Sequence, residues 1–144
     1  MRIFTGLGIG LKDMGVAESD ERVLVCKNRI EAKIKSAIEK GNSEFSTVIN
    51  NEFGLWFAEA VASQIKNNPD KKIYLFVYFT SPDVKYTPNT EARIKNIEPY
   101  MSAKIFKANA VEECFNDATF VLTNYSQTDY YEKFGQTKKL PMFA

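Results

Sequence analysis

The chain has no histidine among its 144 residues. That absence removes Ser-His-Asp and Cys-His mechanisms, histidine general bases and most catalytic zinc sites. Any chemistry here has to use carboxylates, lysine, tyrosine, cysteine or water. Cysteine is nearly as scarce, with only Cys26 and Cys114, each in a stretch patterned as a helix. Two isolated thiols make neither a disulfide framework nor a metal cluster, so both are expected to be reduced and structural. No metal and no cofactor is expected. Neither sign of charge dominates: 19 Lys and Arg face 18 Asp and Glu. That balance argues against general nucleic-acid binding, which needs a basic excess or stripe. It leaves room for a small anionic ligand met by one or two cations. No apolar run approaches the ~20 residues of a bilayer span. The opening Met1-Arg2-Ile3-Phe4 runs straight into a strand pattern without a secretory apolar region. The expectation is a cytoplasmic protein without a membrane partner.

What is present suits one folded domain covering residues 1–144. Apolar residues make up 44% and charged residues 26%, which excludes disorder as the default. Strand patterns fall at residues 2–5, 45–49, 72–79, 104–107, 119–123 and 140–143. The third is nearly all aromatic or β-branched and predicts a central strand buried on both faces. The last carries Pro141, which an edge strand tolerates. Helix patterns fall at residues 20–40, 55–66, 89–100 and 111–116. In the first, Val23, Ile30, Ile34, Ala37 and Ile38 share a face at helical spacing. Residues 125–137 read as loop with one helical turn. Strands alternating with helices predict an α/β fold: a mostly parallel sheet flanked by helices on both faces.

Open parallel sheets bind ligands outside the carboxyl ends of their strands. The candidate loops are therefore residues 6–12, 50–54, 80–88 and 124–129. Thr5 ends the first strand, and Gly6, Gly8 and Gly10 stand at alternate positions after it. The glycines fit either a backbone cradle for phosphate or a plain flexible connection. Leu11 occupies the place of the last small residue of a dinucleotide fingerprint. Asn50, Asn51 and Glu52 precede the second helix. They suit a ligand at a helix N-terminus, with Glu52 on a ribose diol, or equally an Asn-rich turn. Trp56 and Glu59 share one side of that helix, either stacking on and reading a base or simply packed and solvated. Lys85 and Tyr86 offer a cation and an aromatic lid. Arg93 offers a bidentate phosphate clamp or a surface ion pair. Asn124, Tyr125, Tyr130 and Tyr131 follow the last buried strand and line either a pocket or an oligomer interface.

Several of these segments together resemble the YpsA-like branch of the SLOG superfamily, a Rossmann-like group that includes DprA and the LOG phosphoribohydrolases. They are Arg2-Ile3-Phe4-Thr5-Gly6, Lys12-Asp13-Met14-Gly15, Leu55-Trp56-Phe57-Ala58-Glu59-Ala60, Pro88-Asn89, Asn116-Asp117-Ala118 and Lys139-Leu140-Pro141-Met142-Phe143. The family's version of the third is Leu-Trp-Ala-Ala-Glu-Ala. The chain departs from the family at four places, one of them a segment between Thr123 and Pro141 that is shorter than the family's. Val48-Ile49-Asn50-Asn51-Glu52 stands where the family has a Ser-Gly-Gly or Ser-Gly-Gln phosphate loop. Gly54 stands where the family has an acidic residue. The Pro-Gly-Gly-x-Gly-Thr motif of the LOG enzymes is absent. The resemblance implies a Rossmann-like three-layer domain that binds a nucleotide-derived molecule and self-associates into a homo-oligomer, an expectation that 11 Phe and 7 Tyr also raise. With the catalytic loop gone, it implies binding without turnover. A cyclic ADP-ribose variant or cyclic nucleotide would be sensed or sequestered, as by a phage protein that disarms a defence signal.

The residues expected to hold that ligand are Thr5, Gly6, Gly8, Asn50, Asn51, Glu52, Trp56, Glu59, Lys85, Tyr86, Arg93 and Asn124; none is assigned a catalytic role. Two other readings stand beside this one. One is a nucleotide N-glycosidase or related hydrolase with Glu59 or Glu52 as general acid/base. The other is an interaction protein that keeps the fold without the ligand.

Overall fold

The computed structural model describes residues 2–135 and 140–144. The elements run in the order β1 (Ile3–Gly6), α1 (Leu11–Met14), α2 (Glu21–Glu39), β2 (Glu44–Val48), α3 (Glu52–Asn67), β3 (Tyr74–Phe79) and α4 (Pro88–Ile97). A 3₁₀ turn (Glu98–Tyr100) follows, then β4 (Ala103–Phe106), α5 (Ala110–Asp117), β5 (Phe120–Thr123), α6 (Gln127–Phe134) and β6 (Leu140–Phe143). The strands form one six-stranded sheet in the order β4-β3-β2-β1-β5-β6, and every pairing is parallel. The protein is thus an α/β domain with a Rossmann-like three-layer fold.

Strand order follows from which face each crossover takes. α2, α3 and α4 lie on one face and carry the chain stepwise from β1 out to β4. α5 lies on the other face and returns it, so that β5 pairs with the free side of β1. The direction of winding therefore reverses between β1 and β5. Strand alternation feeds the two layers. Phe4, Phe45, Leu75 and Leu122 face α2 and α3, with Val23, Ile30, Ile34 and Phe57 closing over them. Val48, Tyr78 and Val121 face α5 and α6, against Ala110, Cys114, Phe115 and Tyr130. α2 starts where Asp20 accepts a hydrogen bond from the Arg22 N–H, an N-cap that offsets one orphan donor. Gly41 follows its end with φ 94°, a left-handed conformation that favours glycine.

Four expectations need correction. β3 is paired on both sides and its last three residues are buried on both faces, but the strand is not buried over its whole length, since Tyr74 at its start is 42% exposed. Residues 50–54 are not one turn: α3 already begins at Glu52 with Asn51 as its cap. Residues 127–134 form a full eight-residue helix, not one turn. Tyr130, expected at a pocket or interface, is fully buried and packs on Phe115, Phe134 and Phe143. The expected edge strand is present as β6, while Lys139 and residues 136–137 lie outside the described residues. Among the described residues, no helix is long and apolar enough to cross a membrane.

Candidate functional site

The twelve candidate residues fall into three groups, two at the carboxyl ends of the strands and one in the helix layer among α2, α3 and α4. The first surrounds the loop after β1. Thr5 is buried, its hydroxyl 2.7 Å from that of Ser46. Gly6 has no room for a side chain because the Phe57 ring lies on it. A Cβ on Gly8 would strike Asn124 and Phe53, and one on Gly10 would strike Glu52 and Asn51. The glycines thus let the loop lie flat against neighbouring elements. Three side chains fasten it there. The Ile9 N–H donates to Asn124 Oδ1 at 2.6 Å, and Asn124 Nδ2 donates back to the Ile9 carbonyl at 2.9 Å. Asn51 Nδ2 donates to the Gly8 carbonyl at 2.8 Å while its Oδ1 accepts from the Phe53 N–H at 2.9 Å. Glu52 Oε1 accepts from the Leu11 N–H at 2.6 Å. Asn51 is therefore both the cap of α3 and a clasp on the loop. Asn51→Ala is expected to cost about 2 kcal/mol in urea unfolding, a cap plus one net hydrogen bond. Asn51→Asp keeps the cap acceptor, loses the donor, and should cost about half of that.

The second group lines a cavity of about 220 Å³ between the starts of α3 and α4, bounded by Asn50, Asn51, Glu52, Lys85 and Tyr86. Tyr86 donates its hydroxyl hydrogen to the Ile49 carbonyl at 2.8 Å. Its ring is thereby fixed as a wall, and burial pushes its pKa up. Asn50 and Lys85 are exposed, so a neutral amide and a cation face the opening.

The third group is Trp56, Glu59 and Arg93, which line a separate cavity of about 290 Å³ with Lys27 and Glu31. Trp56 is only 2% exposed, and the Lys27 ammonium sits 5.6 Å from its ring centre. Its indole N–H is buried with no acceptor among the described residues. Stacking a base on this ring would require Lys27 to move. Arg93 forks onto Glu59 through Nε at 3.0 Å and Nη2 at 2.5 Å. Its Nη1 reaches Glu18 at 2.9 Å, and Glu18 also takes Lys27 at 3.4 Å. Arg93 thus ties α4 to α3 and to the segment before α2.

Burial raises the Glu18 pKa, but the charges and hydrogen bonds of Arg93 and Lys27 outweigh it and hold the carboxyl below its ordinary 4.5. A depressed folded-state pKa contributes stability that is complete above the unfolded value and lost as pH falls through the folded one. Unfolding free energy should therefore fall below pH 4.5 with a slope that is shallower in Arg93→Ala. Urea titrations of both proteins from pH 6 to about 3 would measure it.

A fourth feature escaped the sequence reading except for Asn124. A cavity of about 560 Å³ opens beside the β1–β5 crevice, lined by Met14, Arg22, Cys26, Arg29, Asn124 and Ala144 among others. Its volume is that of a typical small-molecule pocket. Arg22 is paired with Asp20, whereas Arg29 is exposed on the cavity wall. Burial pushes the Cys26 thiol up, which keeps it protonated and inert. The available signal was positional: α2 follows the loop after β1, so its first turns border the crevice. Among the described residues, no group of three acidic, cysteine or histidine side chains is placed to hold a metal ion.

No protein-family model matches the chain, and no curated protein matches it.

Proposed function

We propose that this protein binds a nucleotide-derived signalling molecule, a cyclic ADP-ribose variant or a cyclic nucleotide, and sequesters or senses it without turnover. We assign it on that reading to the SLOG superfamily, near the YpsA-like branch, with self-association and a role in disarming a phage-defence signal as its corollaries. The observation that carries the reading is the carboxyl edge of the parallel sheet. Cavities of about 560 Å³ and 220 Å³ line that edge, where open α/β folds take their ligands. The smaller is bounded by Lys85, a cation for a phosphate, and by Tyr86 as an aromatic wall. Glu59 and Glu52, the two carboxylates available for glycosidic hydrolysis, are engaged with Arg93 and the Leu11 N–H. Binding is therefore favoured over catalysis.

A second reading is an interaction protein that has lost its ligand. It is favoured by the way Asn51, Glu52 and Asn124 are spent on the backbone of the loop after β1 and Arg93 on Glu59 and Glu18. One experiment separates the readings. Purified protein is melted with ADP-ribose, its cyclic isomers and cyclic dinucleotides. The complex is then denatured and the released compound identified by chromatography. A ligand at 100 times its Kd adds about 2.7 kcal/mol, or about 8 °C in Tm for a domain of this size. Intact ligand supports sequestration, converted ligand supports the hydrolase, and no shift across the panel supports the interaction protein.

A further inference from the structure

At the reversal of winding in an open α/β sheet, the loops after the two central strands turn opposite ways and leave a crevice between them. In this protein the crevice is bridged. The backbone pairing of β1 with β5 continues to the Leu7 N–H, which donates to the Leu122 carbonyl at 3.0 Å. Two residues on, the Asn124 side-chain amide takes over, accepting from and donating to Ile9 as a paired peptide group would. The loop's other side is held by Asn51 on the Gly8 carbonyl and Glu52 on the Leu11 N–H. Four hydrogen bonds, from the start of α3 and from the loop after β5, thus converge on the segment Gly8 to Leu11.

We propose that the loop after β1 is a latch that opens as one unit and, when closed by Asn124, Asn51 and Glu52, seals the crevice between β1 and β5. The cooperativity follows from the glycines. Gly8 lies directly on Asn124 and Phe53, and Gly10 on Asn51 and Glu52, with no space for even a Cβ between them. The segment cannot swing away from Asn124 while keeping its fit on Asn51 and Glu52, because neither contact has slack. Asn124 also lines the 560 Å³ cavity and touches the Met14 sulfur at 3.7 Å. Release of its amide therefore joins that cavity to the crevice. The latch is a property of the ligand-free protein and holds whether or not the ligand reading does.

Native-state hydrogen exchange on the ligand-free chain tests it. The Ile9 amide reports the Asn124 bond and the Leu11 amide reports the Glu52 bond. In the wild-type protein the two are expected to exchange through one opening, with the same free energy and the same urea dependence, while amides of the β2–β3 ladder remain protected. In Asn124→Ala, the Leu11 amide, which Asn124 does not touch, is expected to exchange on the order of tenfold faster, the effect of losing one to two net hydrogen bonds. Different urea dependences for the two wild-type amides overturn the latch. So does a variant in which Ile9 alone accelerates. Should Asn124→Ala fail to fold, the wild-type measurement decides by itself. With no ligand in the sample, failure of the latch and failure of ligand binding remain separate results.

Discussion

Gly54→Ala is expected to lower stability by about 3 kcal/mol, and Tm by about 9 °C, although alanine is the better helix former. Gly54 sits in the first turn of α3 with ordinary helical backbone, not among the positive-φ glycines. Propensity alone would therefore favour alanine by about 1 kcal/mol. The contact decides otherwise. A Cβ there would overlap the Val48 carbonyl oxygen and stand 2.8 Å from its carbon and 3.2 Å from the Ile49 Cα. These are backbone atoms at the end of β2, and they cannot swing aside as a side-chain tip can. Gly54 is what lets α3 begin hard against the strand it follows, which positions Asn51 and Glu52 to clasp the loop after β1. Gly54→Asp should cost more than alanine, since it adds a carboxylate next to a carbonyl oxygen. Thermal melts of both variants test the pair. An alanine variant as stable as the wild type would mean that α3 can slide away from β2.

The candidate side chains at the carboxyl edge are mostly spent on neighbouring groups of the protein: Asn51, Glu52 and Asn124 on the backbone of the loop after β1, and Arg93 on Glu59 and Glu18. That is the physical content of the contest between ligand binding and its loss. Arg93, offered by the sequence as a phosphate clamp, spans from α4 to Glu59 and to Glu18, 75 positions earlier in the chain. Asn124 reaches Ile9 across 115 positions. Pairings at such separation leave no local trace, so the sequence shows these residues without showing what they hold. The long periodic elements were legible for the opposite reason. α2 carries its buried stripe of Val23, Cys26, Ile30 and Ile34 in plain helical spacing, and the strands are runs of β-branched and aromatic residues. The misses are short or mixed segments. α1 has four residues and buries none of them, so it shows no stripe. α6 hides behind Ser126-Gln127-Thr128-Asp129, which reads as polar loop, yet Ser126 caps it by accepting from the Asp129 N–H. Asn51-Glu52-Phe53-Gly54 has the composition of a turn, but its asparagine is a helix cap and its glycine a packing device.

The largest single loss should come from Phe57→Ala, about 3–5 kcal/mol, the cost of emptying a fully buried aromatic site. Phe57 is 0% exposed, lies parallel to Phe4 at 6.3 Å between ring centres, and covers Gly6 at the mouth of β1. The ring lies where a Cβ on Gly6 would stand, so the ring and the glycine beneath it read as a matched pair in this chain. A double-mutant cycle makes that claim quantitative. Gly6→Ala alone forces a Cβ into the Phe57 ring and should cost about 1–3 kcal/mol by overpacking. In the Phe57→Ala background the same Cβ enters vacated space, and the cost of Gly6→Ala should vanish or reverse. Coupling of about 1 kcal/mol or more in urea unfolding would establish the pair. Strict additivity would mean that Gly6 is needed for its backbone alone, and that the fit between β1 and α3, from which the loop after β1 takes its path, does not depend on this ring.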